Sequence, residues 1–356
     1  MAKPTVSVLI DTYNHERFIE QGIVSALEQD SPASEREIIV VDDGSTDRTS
    51  EIVRKFEPHV RLLKKQNGGQ ASAFNAGIPE CQGQIIAFLD GDDWWTQGKL
   101  TAVVEAFTQN PSVGLVGHSI TEVLADGSQR SELVKDTPRF RLDSQASARV
   151  FRQRKSFLGT SRMAYRSEIL RRIGPVPVAL VIQADEYLFT VAGLFAEVLI
   201  LRPPLSFYRL HGHNWFQVAD GNRKALRRKQ EVLAALAGAL RARFLEEEVS
   251  SGIAKTVVDA VQVEADLLRL SLDGGMPWQT VRAELMNYQI TQENASFGHW
   301  VLKFASLLPA CFLSPRRYAL LKQRFSRNLL YRRTRAKWLP FLRPEHVDRT
   351  GRWSGK

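Results

Sequence analysis

The chain has 356 residues, of which 44% are hydrophobic and 24% charged, with two cysteines. That composition is ordinary for a folded soluble protein, with length enough for one large core and a smaller attachment, and it excludes a disulfide scaffold or a disordered chain. The net charge of +9 sits in the tail: residues 316–356 carry 13 Lys or Arg against two acidic residues, which leaves residues 1–315 at −2 and excludes an enzyme with a uniformly basic nucleic-acid cleft.

Taken in chain order, residues 5–10 form a β-branched apolar run closed by Asp11-Thr12-Tyr13-Asn14. The start Met1-Ala2-Lys3-Pro4 runs straight into it, which leaves no room for a signal peptide. Phe18, Ile19, Ile23, Ala26 and Leu27 then recur at helical spacing within 16–29. Residues 37–41 predict a second strand, followed by Asp42-Asp43-Gly44-Ser45-Thr46-Asp47 and a helix over 47–56 with Asp47 as its N-cap. Residues 60–63 predict a third strand. Gly68-Gly69 opens a helix holding Ala71, Ala73, Phe74 and Ala76, and residues 85–89 form a fourth strand that ends in Asp90-Gly91-Asp92-Asp93. Strand alternating with helix at this tempo predicts an α/β fold with a mostly parallel sheet covered on both faces.

The middle is less regular. A helix over 100–107, a strand over 113–116 and a polar, turn-rich loop region over 125–147 are expected. Residues 157–161 and 163–165 read as strand material, and 167–173 and 185–193 as short helices. Strands over 198–201 and 205–208, split by Pro203-Pro204, lead into Arg209-Leu210-His211-Gly212-His213-Asn214. After Gly221 the pattern turns helical, over 224–250, 254–270 and 278–286. This divides the chain into a catalytic domain over 1–220 and a helical extension with a basic tail over 221–356.

The two acidic clusters carry the chemistry. Each follows a buried-strand pattern, so both fall beyond the carboxyl ends of parallel strands, where ligands bind in such sheets. Crowded carboxylates repel and need a divalent cation or hydrogen-bond donors for compensation. Asp90-Gly91-Asp92 places two carboxylates on a turn that glycine permits, a spacing suited to Mn2+ or Mg2+ on a diphosphate. Asp42 and Asp43 suit acceptance from the imide N–H of a uracil or thymine ring. Each cluster also has a plainer reading, since Asp-Gly is a common turn and Asp47 an ordinary helix cap. No G-x-G-x-x-G follows the first strand and no Walker A motif occurs, which argues against dinucleotide and P-loop sites.

Four segments resemble the family 2 nucleotide-sugar glycosyltransferases of the GT-A fold. They are Val6-Ser7-Val8-Leu9-Ile10-Asp11-Thr12-Tyr13-Asn14, Val40-Val41-Asp42-Asp43-Gly44-Ser45-Thr46-Asp47, the stretch from Gln66 to Gly77, and Phe88-Leu89-Asp90-Gly91-Asp92-Asp93-Trp94-Trp95. The resemblance is strong over 5–100 and looser to about 214. It implies a GT-A type Rossmann-like sheet and inverting transfer of a sugar from a nucleoside-diphosphate donor to a hydroxyl. It places the metal on Asp92 with Asp90 or Asp93, the nucleoside against Thr12, Tyr13, Asp42 and Asp43, and the ribose or phosphates near Lys65, Asn67 and Gly91. By register in Gln183-Ala184-Asp185-Glu186-Tyr187-Leu188 the base is Asp185, with Glu186 as the competing choice because Ala184 stands where the family carries an acid. Arg209 and His211 fall near the diphosphate or acceptor.

A UDP- or dTDP-sugar donor and a glycan or lipid-linked glycan acceptor, in bacterial surface polysaccharide or lipopolysaccharide synthesis, follow from the same resemblance. The rival readings are a sugar nucleotidyltransferase, which needs an early Gly-rich basic phosphate loop that residues 11–16 do not supply, and a non-catalytic nucleotide-sugar or carbohydrate-binding protein. Cys81 and Cys311 have neither disulfide nor zinc spacing, so a reducing, cytoplasmic setting is expected. Residues 300–313 are apolar but too short and too interrupted by Pro309 to span a bilayer. With Arg316, Arg317, Lys322, Arg324 and Arg327, and Arg332, Arg333, Arg335, Lys337 and Trp338 beyond, they suit either an anionic membrane surface or a helix packed on the protein.

Overall fold

The computed structural model describes residues 5–30, 35–134, 137–153, 158–211, 222–292 and 296–327. His213, Asn214, Phe157 and the basic residues from Arg332 to Lys337 with Trp338 therefore lie outside the described residues. The chain divides into two compact units, Met1–Asp220 with Ala235–Val258, and Gly221–Ala234 with Asp259–Lys356.

The first unit is built on one mixed sheet. Its first part follows the predicted alternation: β1 (Val6–Thr12), α1 (Ile19–Leu27), β2 (Arg36–Asp42), α2 (Thr49–Arg54), β3 (Arg61–Lys64), α3 (Gln70–Gly77) and β4 (Ile85–Asp90). These four strands run parallel in the order β3-β2-β1-β4. β1, β2 and β4 are buried on both sides, which is why they read as continuous apolar runs, while β3 at the edge is partly exposed. On one face Val8, Ile10, Val40 and Leu89 pack with Ile19 and Ile23 of α1 and Val53 of α2. On the other, Phe74 of α3 meets Phe88 edge to face, with ring centroids 5.0 Å apart. A Cβ on Gly77 would lie 2.4 Å from Leu9 Cδ1, so glycine lets α3 lie close to the sheet.

The remainder of the sheet departs from the sequence expectations. After β5 (Trp94–Trp95) and α4 (Lys99–Gln109), β6 (Val113–Val123) is far longer than the predicted 113–116 and pairs with β7 (Gln129–Glu132) as a hairpin. With β8 (Arg139–Phe140) and the start of α5 (Gln145–Gln153), this replaces the expected loop over 125–147; β7 is exposed along its length, so it shows no apolar period. Residues Thr160–Arg162 form a 3-10 turn rather than a strand. β9 (Met163–Arg166) then inserts antiparallel between β4 and β6, and α6 (Ser167–Ile173) and α7 (Ala184–Phe195) follow. The two strands expected around Pro203-Pro204 are one, β10 (Glu197–Arg209), parallel to β6. The prolines survive there because the register jumps between Leu201 and Pro204, where a missing N–H costs no ladder bond. The full order is β3-β2-β1-β4-β9-β6-β10-β5, mostly parallel, as expected for the GT-A type. At α2 the expected cap shifts: Arg48 holds the N-cap position, although the Asp47 carboxylate still accepts from Thr49 N–H at 2.9 Å.

Helices α8 (Arg223–Glu246), α9 (Ser251–Asp273), α10 (Pro277–Thr291), α11 (Phe297–Phe312) and α12 (Pro315–Arg327) complete the chain, and α11 continues through Pro309. In the second unit Leu307, Ala310 and Tyr318 form a small core with Val281, Leu285 and Leu313. Beside it the buried Glu284 takes Lys303 at 2.8 Å and Lys322 at 2.5 Å. Among the described residues no helix is long and apolar enough to cross a membrane.

Phe88, fully buried and edge to face with both Phe74 and Tyr165, is the aromatic centre of the first unit. Phe88→Ala should destabilise that unit by about 3–5 kcal/mol, read as a lowered denaturation midpoint in urea.

Candidate active site

The parallel register brings the strand ends together. Thr12 pairs with Asp42 on one side of β1, and Asp11 pairs with Asp90 on the other, so the end of β1 lies between the two acidic clusters.

The first cluster is turned inward. Asp42 is fully buried; its carboxylate accepts from Ser45 N–H at 2.7 Å and from the Ser50 hydroxyl, and so closes its own turn. Asp43 is also buried. Its oxygens accept from Lys65 Nζ at 2.6 Å, Gly68 N–H at 3.0 Å and Gly69 N–H at 2.6 Å, which fixes the start of α3. Asn67 donates to the Asp43 carbonyl at 3.0 Å. Asn14 ties the first loop in: its backbone N–H donates to Ser45 Oγ, and its Oδ1 accepts from Thr46 N–H. Thr12 is buried, with Oγ1 3.2 Å from His15 Nδ1, and Tyr13 is half-buried. Asp42, Asp43, Lys65 and Asn67 are thus assembled around one turn, with Asp42 the least open of them.

In the second cluster Asp90, Asp92 and Asp93 each bring a carboxylate oxygen within 4.8 Å of the others. They are not equivalent. Asp93 is buried and both its oxygens are engaged, one by Ser161 Oγ at 2.6 Å and the other by Arg209 N–H at 2.9 Å. Asp92 Oδ2 lies 2.9 Å from His211 Nε2 and 3.9 Å from His15 Nε2. A Cβ at Gly91 would sit 2.5 Å from Thr12 Oγ1 and 2.8 Å from His15 Nδ1, so no side chain fits between the two acids. Arg209 donates Nε to the Asp92 carbonyl at 3.0 Å, and its guanidinium lies 4.4 Å over the Trp94 ring and 4.8 Å over Phe18. Phe18 in turn stacks on His211.

The electrostatics follow from this crowding. Burial pushes Asp90 well above the ordinary carboxylate value, and the carboxylates of Asp11, Asp92 and Asp93 push it further. Asp93 rises for the same two reasons, burial and Asp92. Burial also raises Asp92, but the His211 hydrogen bond and the charges of His15 and His211 outweigh it and leave Asp92 low. Asp185, in the first turn of α7, is pushed up to about 6 by burial, against the hydrogen bonds from Glu186 N–H and Thr160. Its charge is felt at Asp90 and at Asp11, so it belongs to the same group. Glu186, by contrast, is buried and takes Gln183 Nε2 at 3.1 Å. Gln183 itself holds left-handed backbone, φ 62°, at the N-cap of α7.

Several residues of this site escaped the sequence reading. Asp11 is one: its Oδ1 is buried without a hydrogen-bond partner, and burial and Asp92 push its carboxyl up to about 8. The signal was present, because Asp11 ends an apolar run as Asp42 and Asp90 do. His15 is another, and Ser161 a third. The Ser161 hydroxyl takes Asp90 N–H and donates to Asp93, while its carbonyl accepts from Lys99 Nζ at 2.8 Å and Ser206 Oγ at 2.6 Å. Nothing in the local sequence marks Ser161, since its partners lie some 70 residues upstream and 45 downstream.

The donor set fits a hard divalent cation. It is all carboxylate, it includes an unpartnered buried oxygen on Asp11, and its raised groups would be relieved by positive charge. Among the described residues Asp90, Asp92 and Asp93 are the group that could hold it, with Asp93 already engaged by Ser161 and Arg209 and Asp92 by His211.

A mostly parallel sheet of this order, with an acidic strand-end site, has the fold of the GT-A glycosyltransferases. Residues 7–174 match the model of glycosyl transferase family 2. A glycosyltransferase of Nostoc sp. is 32% identical over 216 residues, 59% of this chain and 66% of that protein. A Bacillus subtilis protein named for teichuronic acid biosynthesis, TuaG, is 41% identical over 108 residues, 29% of this chain and 42% of its own. The chain thus spans only part of each relative. Among solved structures, Staphylococcus aureus TarS 1–349 with UDP-GlcNAc aligns at TM-score 0.53 and 20% identity, over 81% of this chain and 92% of that one. The mannosyltransferase PcManGT of Pyrobaculum calidifontis, with GDP-Man and Mn2+, aligns at 0.51 and 20%, over 91% and 84%. Residues 7–174 thus carry a glycosyl transferase family 2 domain.

The Asp11 carboxyl tests the electrostatic picture. An acid held at about 8 in the fold but at its ordinary value when unfolded keeps its proton only in the native state between those values, so its contribution to stability falls as pH rises. Asp11→Asn does not titrate. In chelator, its melting temperature should exceed that of the parent by a margin that grows from pH 5 to pH 9.

Proposed function

We propose that the chain transfers a sugar, with inversion, from a nucleoside diphosphate to a hydroxyl of a glycan or lipid-linked glycan acceptor. The observation that carries this is Asp185, a half-buried carboxylate held near 6 and electrostatically linked to the acidic strand end. A base in that range is ionised at neutral pH yet still takes a proton readily. As the acceptor oxygen attacks the anomeric carbon, Asp185 takes its proton, the bond from that carbon to the β-phosphate oxygen breaks, and the nucleoside diphosphate leaves with the electron pair. Asp185 is favoured over Glu186 because Glu186 is buried and tied to Gln183.

Asp92 and Asp90 would hold the divalent cation, Mn2+ or Mg2+, whose chemistry when bound is to neutralise charge developing on the diphosphate. Arg209 and His211 stand on the same side, positioned through Asp92 and Asp93. Thr12, Tyr13, Lys65 and Asn67 supply the nucleoside end, with Asp43 as acceptor for a pyrimidine imide and Asp42 as the support of its turn. A UDP- or dTDP-sugar is therefore the preferred donor; the TarS structure was solved with UDP-GlcNAc, and the TuaG relative supports a role in surface polysaccharide assembly. A cytoplasmic site of action belongs to the same proposal.

Asp185→Asn should lower kcat by about a thousandfold or more while donor affinity changes little, measured by nucleotide release and by calorimetry. Nearly full turnover in that variant would remove the base assignment. In the parent, kcat/KM should rise with pH and level off above about 6, the value at which Asp185 loses its proton. Asp92→Asn should abolish Mn2+ binding detected by calorimetry in the absence of donor.

A further inference from the structure

Nine of the thirteen exposed large apolar side chains among the described residues fall between Met276 and Leu320. Six share one helix, α11; Leu302 is set apart, and the other five, Phe297, Val301, Phe304, Leu308 and Phe312, 50% to 84% exposed, line up on one side of it. At roughly 100° per residue they lie within an arc of about 80°. The helix already has another inward face. Leu307 and Ala310 are buried in the core of their own unit, and Lys303 reaches Glu284. The stripe is thus additional to what the fold of this unit requires, and it is continuous where surface hydrophobes are normally scattered. A cavity of about 470 Å3 between α10 and α11, lined by Trp278, Val281, Leu285, Met286 and Cys311, adds apolar surface at its edge.

Charge identifies the occupant. Residues 297–327 include six Lys or Arg and no Asp or Glu. Lys303 and Lys322 share the buried Glu284, and Arg316, Arg317 and Arg324 are exposed on α12, the helix that follows. A second copy of the chain would bring two such basic surfaces together, an arrangement that costs energy. A surface of lipid phosphates would compensate them and accept the aromatic and leucine stripe at the boundary between headgroups and acyl chains.

We propose that α11 and α12 form a docking face for an anionic lipid bilayer, with Phe297, Val301, Phe304, Leu308 and Phe312 entering the interface and the arginines on the lipid phosphates. The face attaches the protein to the surface without spanning it. This assignment stands on the second unit alone and does not depend on the sugar-transfer reading.

The test is co-sedimentation of the full chain with vesicles of phosphatidylglycerol and phosphatidylcholine, against vesicles of phosphatidylcholine alone. Binding should require the anionic lipid. The double variant Phe304→Ser/Leu308→Ser should bind at least about tenfold more weakly, with unchanged melting temperature, and Phe304→Leu should retain binding. Binding that is equally strong in the double variant would assign attachment to charge alone and overturn the role of the stripe. A full chain that ignores anionic vesicles, or one that is a dimer by light scattering and becomes a monomer in the double variant without binding lipid, would overturn the proposal as a whole.

Discussion

Repulsion among carboxylates at one edge of one sheet is the constraint around which the first unit is organised. Asp90 feels Asp11, Asp92, Asp93 and Asp185 there, and Asp11 feels Asp92 and Asp185. Two such charges about 5 Å apart repel by about 3 kcal/mol at the effective dielectric of a protein surface, and each is further penalised by burial. The fold meets this cost group by group. Asp93 receives Ser161 and the Arg209 backbone, Asp92 receives His211, and Asp90 and Asp11 stay together with their carboxyls raised above the ordinary value. Lys99, buried and pushed well below its ordinary value, lies behind this cluster with its ammonium on the Ser161 carbonyl. The arrangement tolerates the charge without cancelling it, and the remaining imbalance is what gives the edge an appetite for a cation.

The two acidic clusters therefore differ in kind although they look alike in sequence. Asp42 and Asp43 spend their oxygens on protein donors, and in doing so bind the ends of β1 and β2 to the start of α3. Asp90 and Asp92 keep theirs turned toward one another and toward histidine. One cluster builds the wall of the site; the other supplies its charge. The same motif can do either, because the outcome depends on whether N–H groups from a neighbouring loop arrive within reach.

What could be read from the sequence follows the range of the interactions. β1, β2 and β4 and the helices between them were legible because each apolar run is bounded by its own turn residues and buried on both faces. Asp42 and Asp90, which close two of those runs, were legible for the same reason. β9 was recognised as strand material, but not its place between β4 and β6, since antiparallel insertion depends on partners some 50 to 80 residues away. The hairpin at β7 has polar residues on both faces and no period to read. Pro203-Pro204 gave a misleading break, because proline disrupts a strand only where its N–H is needed. Asp11 and Ser161 acquire meaning only through residues that the register delivers to them.

The left-handed backbone at Gln183 bears on how the sequence around Asp185 is free to vary. A residue with a Cβ held at φ 62° carries about 1 kcal/mol or more of local strain, which glycine would relieve and asparagine would reduce. Yet glycine there would also remove the amide that donates to the buried Glu186. The strained glutamine thus ties the backbone at the helix start to the placement of the second acid, so that the two vary together rather than separately.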